Sequence, residues 1–346
     1  MSRSLWEHFC RRIQRWSGWE LRRIRRLVIE PTNHCTRECP VCGAVQSRTP
    51  RARGYMDWDV FTRLLAQAAV LRPSRLCLQA HGESLLHPRL VEMVQACTAK
   101  RLHCEIITNG DLLTPDLSRA LREAGLGSLI LSHPGVTAAN YEACRGCPSP
   151  PERDEQLMES LRLWEGATAK VGVQSLIIPS LIPDRMDILN FAKRWLDVPG
   201  VRDVSFHGYL PWPRHFREDL IRFMAETSRR CELGMLSLAV LWDGTVTPCA
   251  YDTSAELALG HFPEASLRQL YKGQALRRLR RSWFRPPGRW PPLCQSCLIR
   301  RCRAPLVVIH REELQKHVGN ADSEQEYIQS ILIPFDHAPY MQRVHH

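Results

Sequence analysis

The sequence lacks any apolar run close to the roughly 18 residues that a membrane-spanning helix needs. It also lacks an N-terminal apolar segment followed by a small-residue cleavage site, so no secretory signal peptide is predicted. Stretches of disorder-type composition are absent too, since 44% of the 346 residues are hydrophobic. A chain of this size can bury one large core, or a core and a small second one. We therefore expect a globular, cytoplasmic protein.

Acidic residues are too few to balance the basic ones. The chain has 36 Asp and Glu against 47 Lys and Arg, a formal net charge of +11. Such a surplus favours anionic partners, including phosphates, carboxylates, acidic electron carriers and nucleic acid. The arginines concentrate in residues 3–26 and 277–289, and neither segment has the spacing of a known nucleic-acid-binding module. We therefore predict no nucleic-acid partner, and solvated helix faces are the simpler interpretation of both segments.

Residues 1–26 place aromatic and apolar side chains at roughly helical spacing among arginines. This pattern predicts a basic amphipathic helix that packs against the body of the protein. Basic amphipathic helices with tryptophan also bind anionic lipid, so contact with a membrane surface is the less favoured alternative.

From residue 27 onwards, short apolar runs alternate with longer helical segments, which is typical of repeated βα units around a parallel sheet. The predicted strands are residues 27–30, 76–79, 104–108, 128–132, 171–178 and 204–209. The predicted helices are residues 57–71, 88–100, 114–124, 151–164 and 186–196. This order fits a partial (β/α) barrel and a doubly wound sheet equally well. In both folds, ligands bind beyond the carboxyl ends of the strands.

The pattern changes after about residue 230, where two apolar runs, 236–241 and 245–246, flank the turn tripeptide 242–244. This arrangement predicts a β-hairpin in a second, smaller domain. We therefore divide the chain into four parts. They are an N-terminal helix (1–26), an α/β domain (27–228), a small cysteine-containing domain (229–305) and a C-terminal tail (306–346).

Fourteen cysteines outside a secretory context favour metal or iron–sulfur ligation over a disulfide framework. Cys35, Cys39 and Cys42 follow the first predicted strand with the spacing C-x3-C-x2-C. Three thiolates in one short loop can hold three irons of a [4Fe–4S] cluster and leave the fourth open to an exogenous chelator. A structural zinc site is the alternative, but such a site is closed by four ligands, and the neighbouring His34 is poorly placed to be the fourth.

This loop resembles the cluster loop of the radical S-adenosylmethionine (SAM) superfamily, and the later strand ends extend the resemblance. Gly82-Glu83 is similar to the Gly-Glu-Pro motif that meets the methionine amino group of SAM, with Ser84 in place of the proline. Asn109 lies in the Thr-Asn-Gly that ends the third strand. Ser132 begins a segment similar to Ser-x-Asp-Gly at the end of the fourth, with proline in place of the aspartate.

Val41 occupies the position where that superfamily usually carries an aromatic residue against the adenine, so aliphatic packing would replace stacking there. The resemblance implies a partial (β/α)6 TIM-like barrel that binds SAM through Val41 and the four strand-end residues. It also implies an electron donor of the flavodoxin or ferredoxin type. An electron from this donor would reduce the cluster and cleave SAM to methionine and a 5′-deoxyadenosyl radical. The radical would then take a hydrogen atom from the substrate.

A second group of cysteines follows the predicted hairpin. Its members, spaced as one, one and a C-x2-C pair, are Cys231, Cys249, Cys294 and Cys297. Four thiolates can close a full [4Fe–4S] site, and zinc is the alternative because it accepts the same ligands. The segment resembles the C-terminal twitch and SPASM domains of the superfamily. Only Cys302 follows, as a spare ligand, a buried thiol or a neighbour of the cluster, so we predict a twitch domain with one auxiliary [4Fe–4S] cluster.

The spacings within this group, 18 residues to Cys249 and 45 more to Cys294, resemble those of the twitch dehydrogenase of butirosin biosynthesis. That dehydrogenase oxidises an aminocyclitol alcohol, but cysteine spacing is evidence about the cluster far more than about the substrate.

Cys144 and Cys147 form a further C-x2-C pair in the loop after the fourth strand. Three interpretations stay open. The two residues are buried thiols, hydrogen-atom donors as in radical epimerases, or ligands in other metal or redox chemistry.

The leading functional hypothesis is oxidation of a small polar, anionic or sugar-like metabolite, with the auxiliary cluster accepting the second electron. A redox-neutral epimerase and a maturase of ribosomal peptides are alternatives within the enzymes. A non-catalytic iron–sulfur or zinc protein that binds nucleic acid is the alternative from another class.

Overall fold

A computed structural model of the chain describes residues 23–45, 51–150, 152–208, 231–295, 297, 306–319 and 321–336. The predicted N-terminal helix lies outside these residues except for positions 23–26, and Cys302 lies outside them as well.

The described strands form a single sheet. They are β1 (Arg26–Ile29), β2 (Arg75–Cys77), β3 (Cys104–Thr108), β4 (Ser128–Ser132), β5 (Lys170–Ile177), β6 (Val201–Gly208), β7 (Ser237–Val240), β8 (Thr245–Thr247), β9 (Gly260–His261) and β10 (Leu306–His310). Their order is β10-β6-β5-β4-β3-β2-β1-β7-β8-β9. Strands β1 to β6 are parallel and adjacent in chain order. A doubly wound sheet would reverse its order at a switch point, so the prediction of a partial barrel is confirmed.

The helices cover the outer face and the ends of this sheet. They are α1 (Trp58–Leu71), α2 (Leu90–Ala99), α3 (Pro115–Glu123), α4 (Ala138–Arg145), α5 (Arg153–Arg162), α6 (Met186–Leu196), α7 (Glu232–Leu236), α8 (Leu267–Lys272), α9 (Gln274–Ser282), α10 (Pro292–Gln295), α11 (Arg311–Leu314) and α12 (Ala321–Asp336). The sequence predicted α1, α2, α3, α5 and α6 to within a few residues, whereas α4 was missed. None of the described helices is long and apolar enough to cross a lipid bilayer.

Short polar side chains fix where several helices begin. Asp57, Thr114 and Thr137 each accept a hydrogen bond from a backbone N–H group in the first turn of α1, α3 and α4. These caps satisfy N–H groups that have no partner within the helix. The missed helix, α4, is only eight residues long, which is too short for a clear apolar periodicity.

Each face of the sheet has its own apolar cluster. Leu27 and Ile29 of β1 belong to the large core between the sheet and its helices. Val28, which points the opposite way, belongs to a small cluster with Cys77 and Ala239 on the inner face. Buried residues on both faces of a parallel strand are what a barrel requires.

The predicted hairpin is present as β7 and β8, which pair antiparallel around the turn. Gly244 in this turn has a φ of +88°, and a Cβ there would lie 2.3 Å from the carbonyl oxygen of Phe262. Strand β7 also pairs parallel with β1, with Leu27 opposite Leu238. The barrel sheet therefore continues into the segment that carries the second group of cysteines, and this pairing sets the position of one cysteine loop relative to the other.

Candidate active site

The first three cysteines lie in the loop directly after β1. Cys39 is buried, Cys42 is half-buried and Cys35 is exposed, and the backbone N–H of Cys42 donates to the carbonyl oxygen of Cys39 at 2.9 Å. Although Cys35 is exposed as a residue, partial desolvation of its thiol raises the pKa, and the negative charges of Glu83, Cys39 and Cys42 raise that pKa further. Several thiolates held this closely need a cation, and iron supplies it because a coordinating thiol is deprotonated outright. The loop therefore fits the predicted cluster.

Hydrogen bonds and ring stacking fix the start of this loop to residues 51–56. The hydroxyl of Thr32 donates to the carbonyl oxygen of Gly54 at 2.7 Å and accepts from the backbone N–H of His34 at 3.0 Å. The imidazole of His34 stacks on the ring of Tyr55, with centroids 4.7 Å apart. The loop that carries the cysteines is therefore rigid where it leaves the strand.

Gly82 brings the backbone after β2 into contact with the cysteine loop. Its φ is +90°, and a Cβ added to it would lie 2.6 Å from the carbonyl oxygen of His34. The next residue, Glu83, donates its backbone N–H to that same oxygen at 2.7 Å. A glycine is needed here because the close approach leaves no room for a side chain.

The carboxylate of Glu83 is buried and joins the ends of β2 and β3. Its two oxygens accept backbone N–H groups from Leu85 at 3.1 Å and from Asn109 at 2.8 Å. Burial raises the pKa of Glu83, and these hydrogen bonds only partly offset the effect. The role predicted for Glu83, contact with the methionine amino group, stays a prediction, while the structure assigns its side chain a positioning role.

Of two other predicted residues, Asn109 lies beside a cysteine and Ser132 is linked to one through Arg145. The side-chain amide of Asn109 donates to the hydroxyl of Thr36 at 3.0 Å and points at the sulfur of Cys35 at 3.8 Å. Arg145 donates to the backbone carbonyl of Ser132 and to the sulfur of Cys39, the latter at 3.5 Å. Hydrogen bonds to cluster sulfurs are one of the ways in which a protein tunes a cluster's potential. Val41 is half-buried in the same loop.

Sequence reasoning missed an ion-pair network next to these residues. Arg37 forms a fork with the two carboxylate oxygens of Asp111, both at 2.6 Å, and Arg153 reaches Asp111 at 3.0 Å. Burial alone would raise the pKa of Asp111, but the bonds from Arg37 and Thr36 and the charge of Arg153 lower it. The position of Asp111, directly after the Thr-Asn-Gly motif, was the available signal.

Cys144 and Cys147 have different environments. Cys144 lies within α4, is buried, and its sulfur is 3.9 Å from the carbonyl oxygen of Leu176. Burial raises its pKa to about 12, so this thiol keeps its proton at neutral pH. Cys147 is exposed and accepts from the guanidinium of Arg37 at 3.5 Å. Their role as hydrogen-atom donors stays a prediction.

The second group of cysteines is gathered beside the hairpin. Cys231 precedes α7 and accepts the backbone N–H of Gly234 at 3.2 Å, and Cys294 lies in α10. Burial raises the pKa of Cys249 well above its usual value, and the charges of the other three cysteines raise it further. The four thiols are therefore neighbours. In the described part of the chain, no three His, Cys, Asp or Glu side chains converge as the ligands of one ion would. Such convergence is not required for a [4Fe–4S] cluster, because each cysteine ligates a different iron.

A buried carboxylate connects the two cysteine loops. Glu30, at the end of β1, is fully buried and accepts from the guanidinium of Arg51 at 2.7 Å and from the backbone N–H of Trp242 at 3.0 Å. His81, which precedes Gly82, lies 3.1 Å from the same carboxylate through Nδ1. Its Nε2 is 2.6 Å from the carbonyl oxygen of Ala250, the residue after Cys249.

Electrostatics keep this carboxylate ionised. Burial alone would raise the pKa of Glu30, but hydrogen bonds and charges from His81 and Arg51 lower it below its usual value. We call these three side chains the Glu30 bridge. Sequence reasoning missed them because they come from separate segments of the chain.

We expect Gly82→Ala to slow SAM cleavage, because the new Cβ would collide with the carbonyl of His34 and displace the cysteine loop. The strain is roughly 1–3 kcal/mol, and the rate of 5′-deoxyadenosine formation measures its effect. Gly166→Ala is the matched control, since its φ is also positive, at +68°, with no atom within 4 Å of the added Cβ. If the rate of 5′-deoxyadenosine formation fell equally in both variants, the cause would be backbone strain alone and not contact with the cysteine loop.

We expect Glu30→Gln to lower the free energy of unfolding by about 3 kcal/mol, because it leaves the Arg51 guanidinium buried without a carboxylate. Urea unfolding of the cluster-loaded protein measures this change. Glu38→Gln is the control, since Glu38 is 80% exposed with Arg53 at 3.8 Å, and it should change stability by about 0.5 kcal/mol or less.

Because the pKa of Glu30 is lowered, the difference in free energy of unfolding between the wild type and Glu30→Gln depends on pH. The stabilisation is complete at neutral pH and is lost as the pH falls through that lowered pKa, so the gap between wild type and Glu30→Gln should narrow in acid. Equal effects of the two substitutions at neutral pH would contradict the bridge.

Comparison with known proteins agrees with this geometry. The family model of the radical SAM superfamily matches residues 29–192, and that of the SPASM iron–sulfur cluster-binding domain matches residues 231–298. The tungsten-containing aldehyde ferredoxin oxidoreductase cofactor-modifying protein of Pyrococcus furiosus is 24% identical in an alignment that covers 80% of this chain and 88% of that protein. The PqqA peptide cyclase of Gluconobacter oxydans is 35% identical over 123 residues, but these cover only 35% of this chain and 33% of that protein.

Among solved structures, BtrN in complex with AdoMet and 2-DOIA superposes with a TM-score of 0.55 at 20% identity. The match covers 79% of this chain and 92% of BtrN, and at this identity it supports the fold alone. A radical SAM domain implies a [4Fe–4S] cluster and SAM, and a SPASM domain implies auxiliary iron–sulfur ligation. The chain thus contains a radical SAM domain followed by a SPASM-type iron–sulfur domain, joined through one continuous sheet.

Proposed function

We propose that this radical SAM protein oxidises an alcohol of a small polar, sugar-like metabolite by two electrons. The observation that carries the proposal is the second group of cysteines, in which four neighbouring thiols can ligate all four irons of a single cluster. A fully ligated cluster has no open iron for substrate, which favours electron transfer as its role. When bound, it would supply the acceptor for the second electron.

The count of cysteines supports one auxiliary cluster. The segment matched as a SPASM domain, residues 231–298, contains four cysteines. Their spacings resemble those of the butirosin dehydrogenase, and the superposition with BtrN extends over most of both chains. The superposition supports the fold, and the likeness in cysteine spacing is what favours a small-molecule alcohol as the substrate.

Polar side chains in the carboxyl-terminal halves of β4 to β6 support the same class of substrate. Ser132, Gln174 and Ser205 are half-buried and lie in one row across the three strands. His207, two residues further along β6, is half-buried on the same face, opposite the core residue Phe206. Burial lowers the pKa of His207, so its imidazole is neutral at neutral pH and can accept a proton. Hydroxyl, amide and imidazole groups are suited to binding the hydroxyl groups of a polyol.

The proposed oxidation balances without an external oxidant other than SAM. One electron and SAM yield methionine and the 5′-deoxyadenosyl radical, which takes the hydrogen atom from the carbinol carbon. The resulting carbon radical then loses one electron and its hydroxyl proton, which leaves a ketone. The electron supplied at the start is returned, and SAM is consumed as the net oxidant.

Peptide maturation is the second candidate, because the local identity to the PqqA peptide cyclase reaches 35%. A redox-neutral epimerase, with Cys144 or Cys147 returning a hydrogen atom, is the third. For all three we infer a cytoplasmic location, where reducing systems keep cysteines available for iron, and a flavodoxin- or ferredoxin-type electron donor.

Isotope transfer separates the three candidates. We expect aminocyclitols and amino sugars deuterated at their carbinol carbons, such as 2-deoxy-scyllo-inosamine, to transfer deuterium to 5′-deoxyadenosine and to give a ketone, measured by mass spectrometry. Solvent deuterium at carbon in an alcohol product would instead indicate epimerisation. Transfer from a deuterated peptide, with none from any of the polyols, would overturn the proposal in favour of peptide maturation.

A further inference from the structure

The positive charge of the chain is concentrated next to the auxiliary cysteines. Residues 265–310 contain eleven Lys and Arg and no Asp or Glu. Without these eleven, the rest of the chain has 36 basic and 36 acidic residues, so the segment accounts for the whole formal net charge of +11. The second arginine-rich segment found in the sequence, residues 277–289, lies within it.

Helix α9 and the turn after it present these arginines on one side. We call this surface the basic face, and its members are Arg277, Arg278, Arg281, Arg285 and Arg289. All five are exposed, and none makes a side-chain hydrogen bond or ion pair within the described residues. Phe284 lies among them and is 49% exposed. Arginine and aromatic residues are enriched at protein–protein interfaces.

The opposite side of α9 is fixed to the auxiliary segment. The buried guanidinium of Arg280 donates to the carbonyl oxygens of Met235 at 2.8 Å and Tyr271 at 3.2 Å. The ring of Trp283 packs so closely on Gly234 that a Cβ there would lie 2.4 Å from it. Gly234 in turn donates its N–H to the sulfur of Cys231. The basic face therefore stands one layer of side chains away from a cysteine of the second group.

A second connection leads from the end of the basic face to the C-x2-C pair. The indole N–H of Trp290 donates to the carbonyl oxygen of Arg285 at 2.8 Å, and the side-chain amide of Gln295 donates to the carbonyl oxygen of Trp290 at 2.7 Å. Gln295 follows Cys294 directly. Two independent connections thus hold the basic face rigidly against the auxiliary cysteines.

We propose that the basic face is the docking surface for a small acidic one-electron carrier protein, which exchanges electrons with the auxiliary cluster. Unpaired arginines around an exposed aromatic ring complement an acidic surface, and such complementarity chiefly raises the rate of association. The position of the face next to the second group of cysteines brings the carrier to a cluster. The inference rests on one premise of the proposed function, namely that the auxiliary cluster exchanges electrons. It does not depend on the identity of the substrate.

Binding of flavodoxin, an acidic carrier, tests the proposal in the cluster-loaded protein. The test variant combines Arg277→Glu, Arg281→Glu and Arg285→Glu. The control combines Arg63→Glu, Arg119→Glu and Arg162→Glu, three exposed arginines on α1, α3 and α5 that change the net charge equally. We expect the test variant to bind flavodoxin at least about tenfold more weakly at low salt, and the control to bind it like the wild type. The difference should shrink at high salt, because exposed charges are screened.

The rate of 5′-deoxyadenosine formation gives a second readout that does not depend on substrate oxidation. With flavodoxin as reductant the test variant should be slower than the control, whereas with dithionite all three proteins should be equally fast. If charge reversal lowers the iron content, the same positions changed to Gln give the comparison. Equal loss of flavodoxin binding in test and control variants would overturn the proposal. Tighter binding of a DNA duplex than of flavodoxin to the wild type, lost in the test variant, would overturn it in favour of a nucleic-acid surface.

Discussion

The ionised carboxylate of Glu30 is the interaction on which the relation between the two cysteine loops depends. It stands five residues before Cys35, and its partners come from the segment before Gly82 and from the hairpin that precedes Cys249. A fully buried charge is costly unless its partners satisfy it. Here a guanidinium, an imidazole and a backbone N–H do so, and removing the carboxylate would leave the buried guanidinium of Arg51 without its anionic partner. The Glu30 bridge therefore holds strand β1, strand β2 and the auxiliary segment in one relative position.

Around the Glu30 bridge, residues that follow β2, β3 and β4 add contacts to the loop that holds Cys35, Cys39 and Cys42. Gly82 and Glu83 touch its backbone through His34, Asn109 points an amide at one sulfur, and Arg145 points a guanidinium at another. Gly82, Glu83 and Asn109, which the superfamily resemblance assigns to SAM, thus also organise the loop. The continuous sheet leads from this loop to the second group of cysteines, and the basic face lies beside that group. This order is the one that the proposed oxidation and the proposed carrier docking require.

Much of this could be predicted from the sequence because it depends on local pattern. The six parallel strands follow from apolar runs, and the cysteine groups from their spacing. The hairpin follows from Trp242-Asp243-Gly244. The contacts that could not be predicted join distant segments: Arg51 meets Glu30 across 21 residues, His81 meets it across 51, and Trp242 across 212. No periodicity indicates such pairs. The arginines of α9 were visible as a cluster, but only the packing of Arg280 and Trp283 reveals which side of the helix faces solvent.

The central claim is that Cys35, Cys39 and Cys42 hold a cluster that cleaves SAM, separate from a second cluster held by the later cysteines. The most direct test compares the anaerobically reconstituted wild type with a triple variant carrying Cys35→Ala, Cys39→Ala and Cys42→Ala. Iron is quantified by Mössbauer spectroscopy, and 5′-deoxyadenosine is measured after reduction with dithionite. The account predicts that the wild type forms 5′-deoxyadenosine, and that the variant forms none yet keeps about half of the iron as a [4Fe–4S] cluster. A variant that retains no cluster, or a wild type that fails to cleave SAM, would contradict it.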